Sequence, residues 1–212
     1  MSEHGDTTLA SYEAAAAVYR ENSSPSEAMT AFLDRVVATV GVGKRLLELG
    51  SGHGWDAAYL EARGLLVTRT DGATAFVEMM RADGHIAHVL DVRHDDFGGP
   101  YDAVLADAVL LHLSRDEFSG AIARAHDAVV AGGVLALTLK VGDGEAWSTA
   151  KLGLPRFFTY WREPAVRALL EAAGWIVDSI DHVDGHTEPW IYVLAHSEGV
   201  PVTGRTSNAD RR

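Results

Sequence analysis

Three glycines spaced by single residues, Gly50, Gly52 and Gly54, follow the apolar run Leu46-Leu47-Glu48-Leu49 and precede a helical segment, Asp56 to Ala62. Glycine accepts the left-handed conformations that a tight turn demands and leaves no Cβ to hold a ligand away, so such a turn offers bare backbone to a nucleotide-like ligand. Glu48 places a carboxylate just ahead of it. Glycine turns also serve as plain strand-to-helix connections in many α/β proteins, and the three glycines alone leave that reading open. Two more carboxylates stand at the ends of apolar runs: Asp71, in Thr70-Asp71-Gly72, and Asp91, in Val89-Leu90-Asp91-Val92. Asp71 lies about where a group that grips ribose hydroxyls belongs, and it is also placed to cap a helix near Thr74.

The elements that must position these groups alternate. Short apolar runs at Leu46–Leu49, Leu65–Thr68, Ile86–Leu90, Ala103–Ala106 and Val134–Leu139 read as strands buried on both faces. Between them lie helical patterns carrying Phe76, Met79 and Met80, then Phe118, Ile122, Ala125 and Val129, then Val166, Leu169 and Leu170. Strands alternating with helices of this length imply right-handed βαβ units and a doubly wound, mostly parallel sheet. Two further runs, Trp175–Val177 and Trp190–Leu194, have no helix between them, which predicts a seventh strand and antiparallel pairing at one edge. Ahead of all this, residues 1–40 predict two helices separated by Ser23-Ser24-Pro25-Ser26, a helical lid. Residues 41–197 form the main domain, and 198–212, poor in large apolar residues, a flexible tail.

The dinucleotide fingerprint requires glycine at position 55, which holds Trp55 and crowds the helix end that would receive a pyrophosphate. The observed order, acid-x-Gly-x-Gly-x-Gly from Glu48 through Gly54, resembles motif I of the class I S-adenosylmethionine-dependent methyltransferases. From Val42 to His196 the later motifs follow in the family's order: Asp71, Asp91-Val92, the run Tyr101 to Leu113, and the turn Ala131-Gly132-Gly133. The resemblance implies an α/β, Rossmann-like fold and S-adenosylmethionine as cofactor. It implies that Gly50, Ser51 and Gly52 pass beside the methionyl portion, and that Glu48 helps to position its amino group. Asp71 and Gly72 would meet the ribose, Asp91 and Val92 the adenine ring, and Ala106 and Asp107 the methionyl end. Related enzymes often bring an N-terminal aromatic onto the cofactor, which points to Tyr12 and Tyr19, although either tyrosine would also serve simply to pin the lid.

Methyl transfer from a sulfonium needs an attacking atom about 3 Å from the methyl carbon, and a base only when the acceptor arrives protonated. His112, just past the fourth strand, is the candidate base, with Glu145 and Tyr160 behind it; packing or local capping is the competing role for His112. Phe157, Phe158, Tyr160 and Trp161 either line an acceptor pocket or pack an ordered loop. His94-Asp95-Asp96 reads as a solvated loop and no metal site is expected; Asp107-Ala108-Val109-Leu110 lacks the Pro-Pro-aromatic pattern of the enzymes that methylate DNA bases or protein glutamine.

With 30 acidic against 18 basic residues and a net charge of −12, the average surface repels phosphates, so nucleic acid is not an expected partner. The absence of cysteine excludes disulfides and thiol nucleophiles. No apolar stretch reaches roughly 18 residues and no secretory leader is evident, so the expectation is a cytoplasmic protein that does not engage a membrane, a monomer or homodimer acting on a small-molecule or peptide acceptor. A non-catalytic cofactor-binding scaffold is the rival from another class.

Overall fold

The computed structural model describes residues 3–185 and 188–199. Among these residues nine strands form in chain order: β1 (Arg45–Glu48), β2 (Leu66–Asp71), β3 (Ala87–Val89), β4 (Tyr101–Ala106), β5 (Val129–Lys140), β6 (Glu145–Ser148), β7 (Arg156–Thr159), β8 (Trp175–Val183) and β9 (Trp190–Ser197). The helices are α1 (Glu3–Glu21), α2 (Glu27–Val40), α3 (Trp55–Glu61), α4 (Thr74–Ala82), α5 (Arg115–Ala128) and α6 (Glu163–Ala172), with a 3-10 turn at Leu110–His112.

Seven strands make one sheet in the order β3-β2-β1-β4-β5-β9-β8. The first five are parallel. β9 runs antiparallel to β5, and β8 at the edge pairs antiparallel with β9. The chain winds outward from β1 through β2 to β3, then restarts at β4 on the other side of β1. That reversal leaves a crevice beyond the carboxyl ends of β1 and β4, where open α/β sheets receive ligands.

Strand residues alternate between two cores. Leu47, Val104, Leu135 and Leu137 face Phe118, Ile122 and Ala125 of α5 and Val166 and Leu170 of α6. Leu46, Ala103, Leu105 and Ala136 face Met29, Phe32, Leu33 and Val36 of α2 and Leu60 of α3. Full burial of a side chain such as Leu33 or Val36 contributes about 1.5–3 kcal/mol, so α2 belongs to the layer that holds the sheet. Of the described residues before β1, those of α1 lie over the crevice and those of α2 do not.

Local sequence starts and stops these helices. Ser26 Oγ accepts from Met29 N at 3.0 Å and opens α2. Ser114 and Glu117 form a reciprocal capping box at α5. The helix ends at Ala128, three residues before the expected Ala131 turn, and β5 begins at once at Val129. The antiparallel hairpin β6–β7 was not expected; it carries Phe157 and Phe158 against the 3-10 turn and α1. From residue 200 onward the expected tail lies outside the described residues. Among the described residues no helix is long and apolar enough to cross a membrane.

Candidate functional site

A cavity occupies the crevice, walled by the glycine turn after β1, the carboxyl ends of β2 and β4, Phe76 of α4 and one face of α1. Gly50, Gly52 and Gly54 adopt φ of 66°, 54° and 84°, values that non-glycine residues rarely take. A Cβ on Gly50 would stand 2.1 Å from Val109 Cγ2, so glycine is what lets the turn close against the segment after β4.

The floor is acidic. Asp71 is 8% exposed; its Oδ2 accepts from Gly52 N at 2.8 Å and its Oδ1 from Ala73 N at 2.8 Å. Burial nonetheless pushes its carboxyl up to about 6, because those two bonds only partly offset the lost hydration. Burial pushes Glu48 up to about 7 against the pull of Ser51 and Arg69, and Glu48 Oε2 has no hydrogen-bond partner among the described residues. Asp56 and Asp107 are also raised by burial and hydrogen-bond to each other, which requires one of them to hold a proton. Thr138 Oγ1 donates to Asp107 Oδ1 at 2.5 Å and accepts from Ala108 N, holding Ala108 at a left-handed φ of 52° on the cavity wall.

The basic residue of the wall is Arg93, and its guanidinium is already bound by Asp91 and Asp6. A ligand bearing positive charge suits this donor and acceptor set; a pyrophosphate does not. The unpartnered Glu48 oxygen is one acceptor that the protein itself leaves unsatisfied.

α1 covers the mouth through polar stitches. Ser11 Oγ donates to Pro155 O at 2.6 Å, Phe157 N donates to Thr8 Oγ1 at 2.9 Å, and Ala75 N, in the first turn of α4, donates to the Glu13 carboxylate. Tyr12 and Tyr19 turn their rings inward onto Phe76. His112 Nδ1 lies 2.6 Å from Phe157 O, which can only accept, so Nδ1 carries the proton and Nε2 is the lone pair. Tyr12 Oη donates to that Nε2 at 2.9 Å, and Arg156 Nη1 donates to Tyr12 Oη at 3.1 Å. Burial lowers the His112 pKa to about 3, and the charges of Arg156 and Lys140 act in the same direction.

Of the residues that the sequence singled out, Tyr12, Tyr19, Gly50, Gly52, Asp71, Gly72, Asp91, Val92, Asp107 and His112 meet at this one cavity. Glu48, Ser51 and Ala106 are buried behind its wall. Asp91 faces the cavity with its carboxylate committed to the Arg93 side chain and main-chain N–H, which limits what it can offer an adenine ring. Glu145 and Tyr160 are not brought there: Glu145 is exposed on β6 opposite Thr159, and Tyr160 packs over Gly142. Phe157 stacks near His4 and Trp161 packs on Phe118, so they serve as packing; Phe158 alone approaches the site, 4.6 Å from the His112 ring. Gly5, Thr8 and Leu9 were missed. Together with Tyr12 and Tyr19 they recur at helical spacing along one face of α1, a signal present in the sequence.

The family described as a methyltransferase domain matches residues 19–180. The chain belongs to this family. No curated protein sequence matches it. Among solved structures, the DhpI–SAH complex superposes with a TM-score of 0.76 at 24% identity, covering 93% of this methyltransferase and 99% of that chain. The 1,6-didemethyltoxoflavin-N1-methyltransferase of Burkholderia thailandensis, with 1,6-didemethyltoxoflavin and S-adenosylhomocysteine bound, gives 0.75 at 20% identity, covering 92% and 89%. The [4+2]-cyclase SpnF gives 0.74 at 16% identity, covering 92% and 97%. These likenesses establish the fold, which a cyclase shares, so the reaction has to be argued from the site.

Proposed function

We propose that this methyltransferase moves the methyl group of S-adenosylmethionine onto an oxygen or nitrogen of a small-molecule acceptor. The observation that carries the proposal is the acidic, glycine-floored cavity at the β1/β4 switch point, covered by Tyr12 and Tyr19. The cofactor supplies a methyl group on a positively charged sulfur, open to in-line displacement by a lone pair. Asp71, held by Gly52 N and Ala73 N, would take ribose hydroxyls; Asp107 would supply negative charge at the methionyl end, beside the turn Gly50-Ser51-Gly52, with Glu48 behind it as an acceptor that ionises near neutrality. Tyr12 and Tyr19 present aromatic faces that favour a cation and exclude water.

His112 stays neutral through the physiological range, with Nε2 as a fixed acceptor. In this role it orients a hydroxyl donor, Tyr12 in the closed cavity or an acceptor hydroxyl in its place, rather than storing a proton. The stitches of α1 to β7 would have to part before an extended peptide could enter, which favours a small acceptor over a protein.

Calorimetry tests the cofactor. S-adenosylmethionine and S-adenosylhomocysteine should bind, Asp71→Ala should weaken both by roughly tenfold or more, and NADH should give no heat. Binding of NADH, or of neither adenosyl compound, would overturn the proposal. A protein that binds both yet methylates nothing in a broad acceptor screen is a scaffold.

A further inference from the structure

Behind the two tyrosines that cover the cavity stand two cations, opposite in charge to its floor. Arg156 is 7% exposed, yet among the described residues it makes no ion pair with a carboxylate. Its Nη1 is spent on Tyr12 Oη and its Nη2 on Ala150 O at 2.5 Å, and its buried Nε has no acceptor. Lys151 stands beside it with Nζ 4.0 Å from the centroid of the Tyr19 ring, and it too lacks an ion pair among the described residues. The backbone of Lys151 holds a left-handed φ of 72°, a conformation that costs a non-glycine residue about 1 kcal/mol or more. Lys140 Nζ, paired with Glu188, lies 4.1 Å from the centroid of Phe158, and the Arg156 guanidinium lies 5.1 Å from the same ring.

Acids are abundant in this chain, 30 against 18 bases, so two neighbouring cations without a close ion pair, Arg156 buried and Lys151 reached only by the more distant charge of Asp107, are not explained by a shortage of partners. A buried guanidinium without a counter-charge is costly unless something supplies the missing anion. Both cations stand on the two tyrosines that close the cavity, Arg156 on Tyr12 and Lys151 on Tyr19, whose rings lie 5.6 Å apart.

We propose that Arg156 and Lys151 recognise an oxyanionic group on the acceptor, a carboxylate or a phosphate or phosphonate, and so select negatively charged small molecules as substrates. The inference rests on the methyltransferase reading of the same cavity and deepens it. The acidic floor takes the positively charged cofactor, and the Arg156–Lys151 pair behind Tyr12 and Tyr19 draws the oppositely charged acceptor. The two opposite charges fix which way each reactant enters. Each Nη of the guanidinium keeps a second N–H beyond the one given to Tyr12 or Ala150, and the exposed lysine adds charge beside Tyr19.

The test is calorimetric titration of the S-adenosylhomocysteine-loaded protein with inorganic phosphate, phenylphosphonate, benzoate and neutral benzamide. At least one oxyanion should bind about tenfold or more tightly than benzamide; the phosphate and phosphonate arms against benzoate tell which oxyanion is preferred. Lys151→Gln, at an exposed position that should not disturb folding, should reduce oxyanion affinity about fivefold or more and leave benzamide unchanged, with Arg156→Gln doing so more strongly. Oxyanions that bind no better than benzamide, or that are indifferent to Lys151→Gln, would overturn the inference. Because S-adenosylhomocysteine binding is measured first in the same cell, its failure would instead count against the methyltransferase reading.

Discussion

Glu48 and Asp71 are carboxyls that the fold has stripped of water, and that sets a pH signature. Both have folded-state values above those of the unfolded chain, at about 7 and about 6. A group raised in this way stabilises the fold fully below its unfolded value, and the contribution is lost as pH rises through the folded value. Taken alone, these two groups lower the thermal midpoint of the ligand-free protein between about pH 4 and pH 7, while His112, held well below its unfolded value, acts in the opposite sense as pH rises towards about 6.5. Glu48→Gln, neutral at every pH, should flatten that fall and leave the variant roughly 1–3 kcal/mol more stable than the parent at about pH 8. Parallel curves for the two proteins in differential scanning calorimetry would refute the assignment. How legible these residues were follows from where their partners lie. The glycine turn, Glu48 and Asp71 could be read because the strand, the turn and the acid are close in sequence and each residue type has a backbone or charge reason to be there. The Tyr12–His112 contact spans 100 residues and the Arg156–Tyr12 contact 144, so no local spacing announces them.

Among the elements, α1 differs from the rest in how it is held. α2 is fixed by apolar side chains that are fully buried, whereas α1 combines hydroxyl and carboxylate bonds at Thr8, Ser11, Tyr12 and Glu13 with a small apolar footing of Leu9, Tyr12, Ala16 and Tyr19 on Ala73 and Phe76. It also kinks at Ala15, where φ is −115° and ψ is 15°, between its two cavity-facing tyrosines. Exchangeable polar contacts and an apolar footing smaller than its neighbours' place an element towards the low end of local stability. In hydrogen exchange, the amides of α1 should open at least about tenfold faster than those of β4, and S-adenosylhomocysteine should slow α1 selectively. Equal protection of α1 and β4 without ligand would mean that α1 is a fixed wall and not a cover. The family match starts at residue 19, near the end of this helix. The parallel strands and their helices were legible because apolar runs alternate with helical spacing over long stretches. The β6–β7 hairpin was not: its strands are four residues each, Glu-Ala-Trp-Ser and Arg-Phe-Phe-Thr, and the aromatic run looked like pocket lining without a pairing partner in view.

For the whole molecule, the net charge of −12 and the acidic cavity floor act together on whatever approaches. S-adenosylmethionine carries one more positive charge than S-adenosylhomocysteine, at the sulfur, and is otherwise nearly the same shape. A negative protein with a negative cavity concentrates the former at its mouth by long-range attraction, and ions shorten the reach of that attraction to about 10 Å at 0.1 M salt and about 3 Å at 1 M. The association rate of S-adenosylmethionine should therefore fall several-fold between about 20 mM and about 500 mM salt, while that of S-adenosylhomocysteine changes much less. Stopped-flow fluorescence would measure both, and equal salt slopes would mean that steering plays no part in cofactor capture. The same field works against an anionic acceptor until it nears the Arg156–Lys151 pair behind the tyrosines, so added salt should speed acceptor entry over the conditions that slow the cofactor. Opposite salt dependences for the two substrates of one enzyme would express, in rates, the charge separation across its cavity.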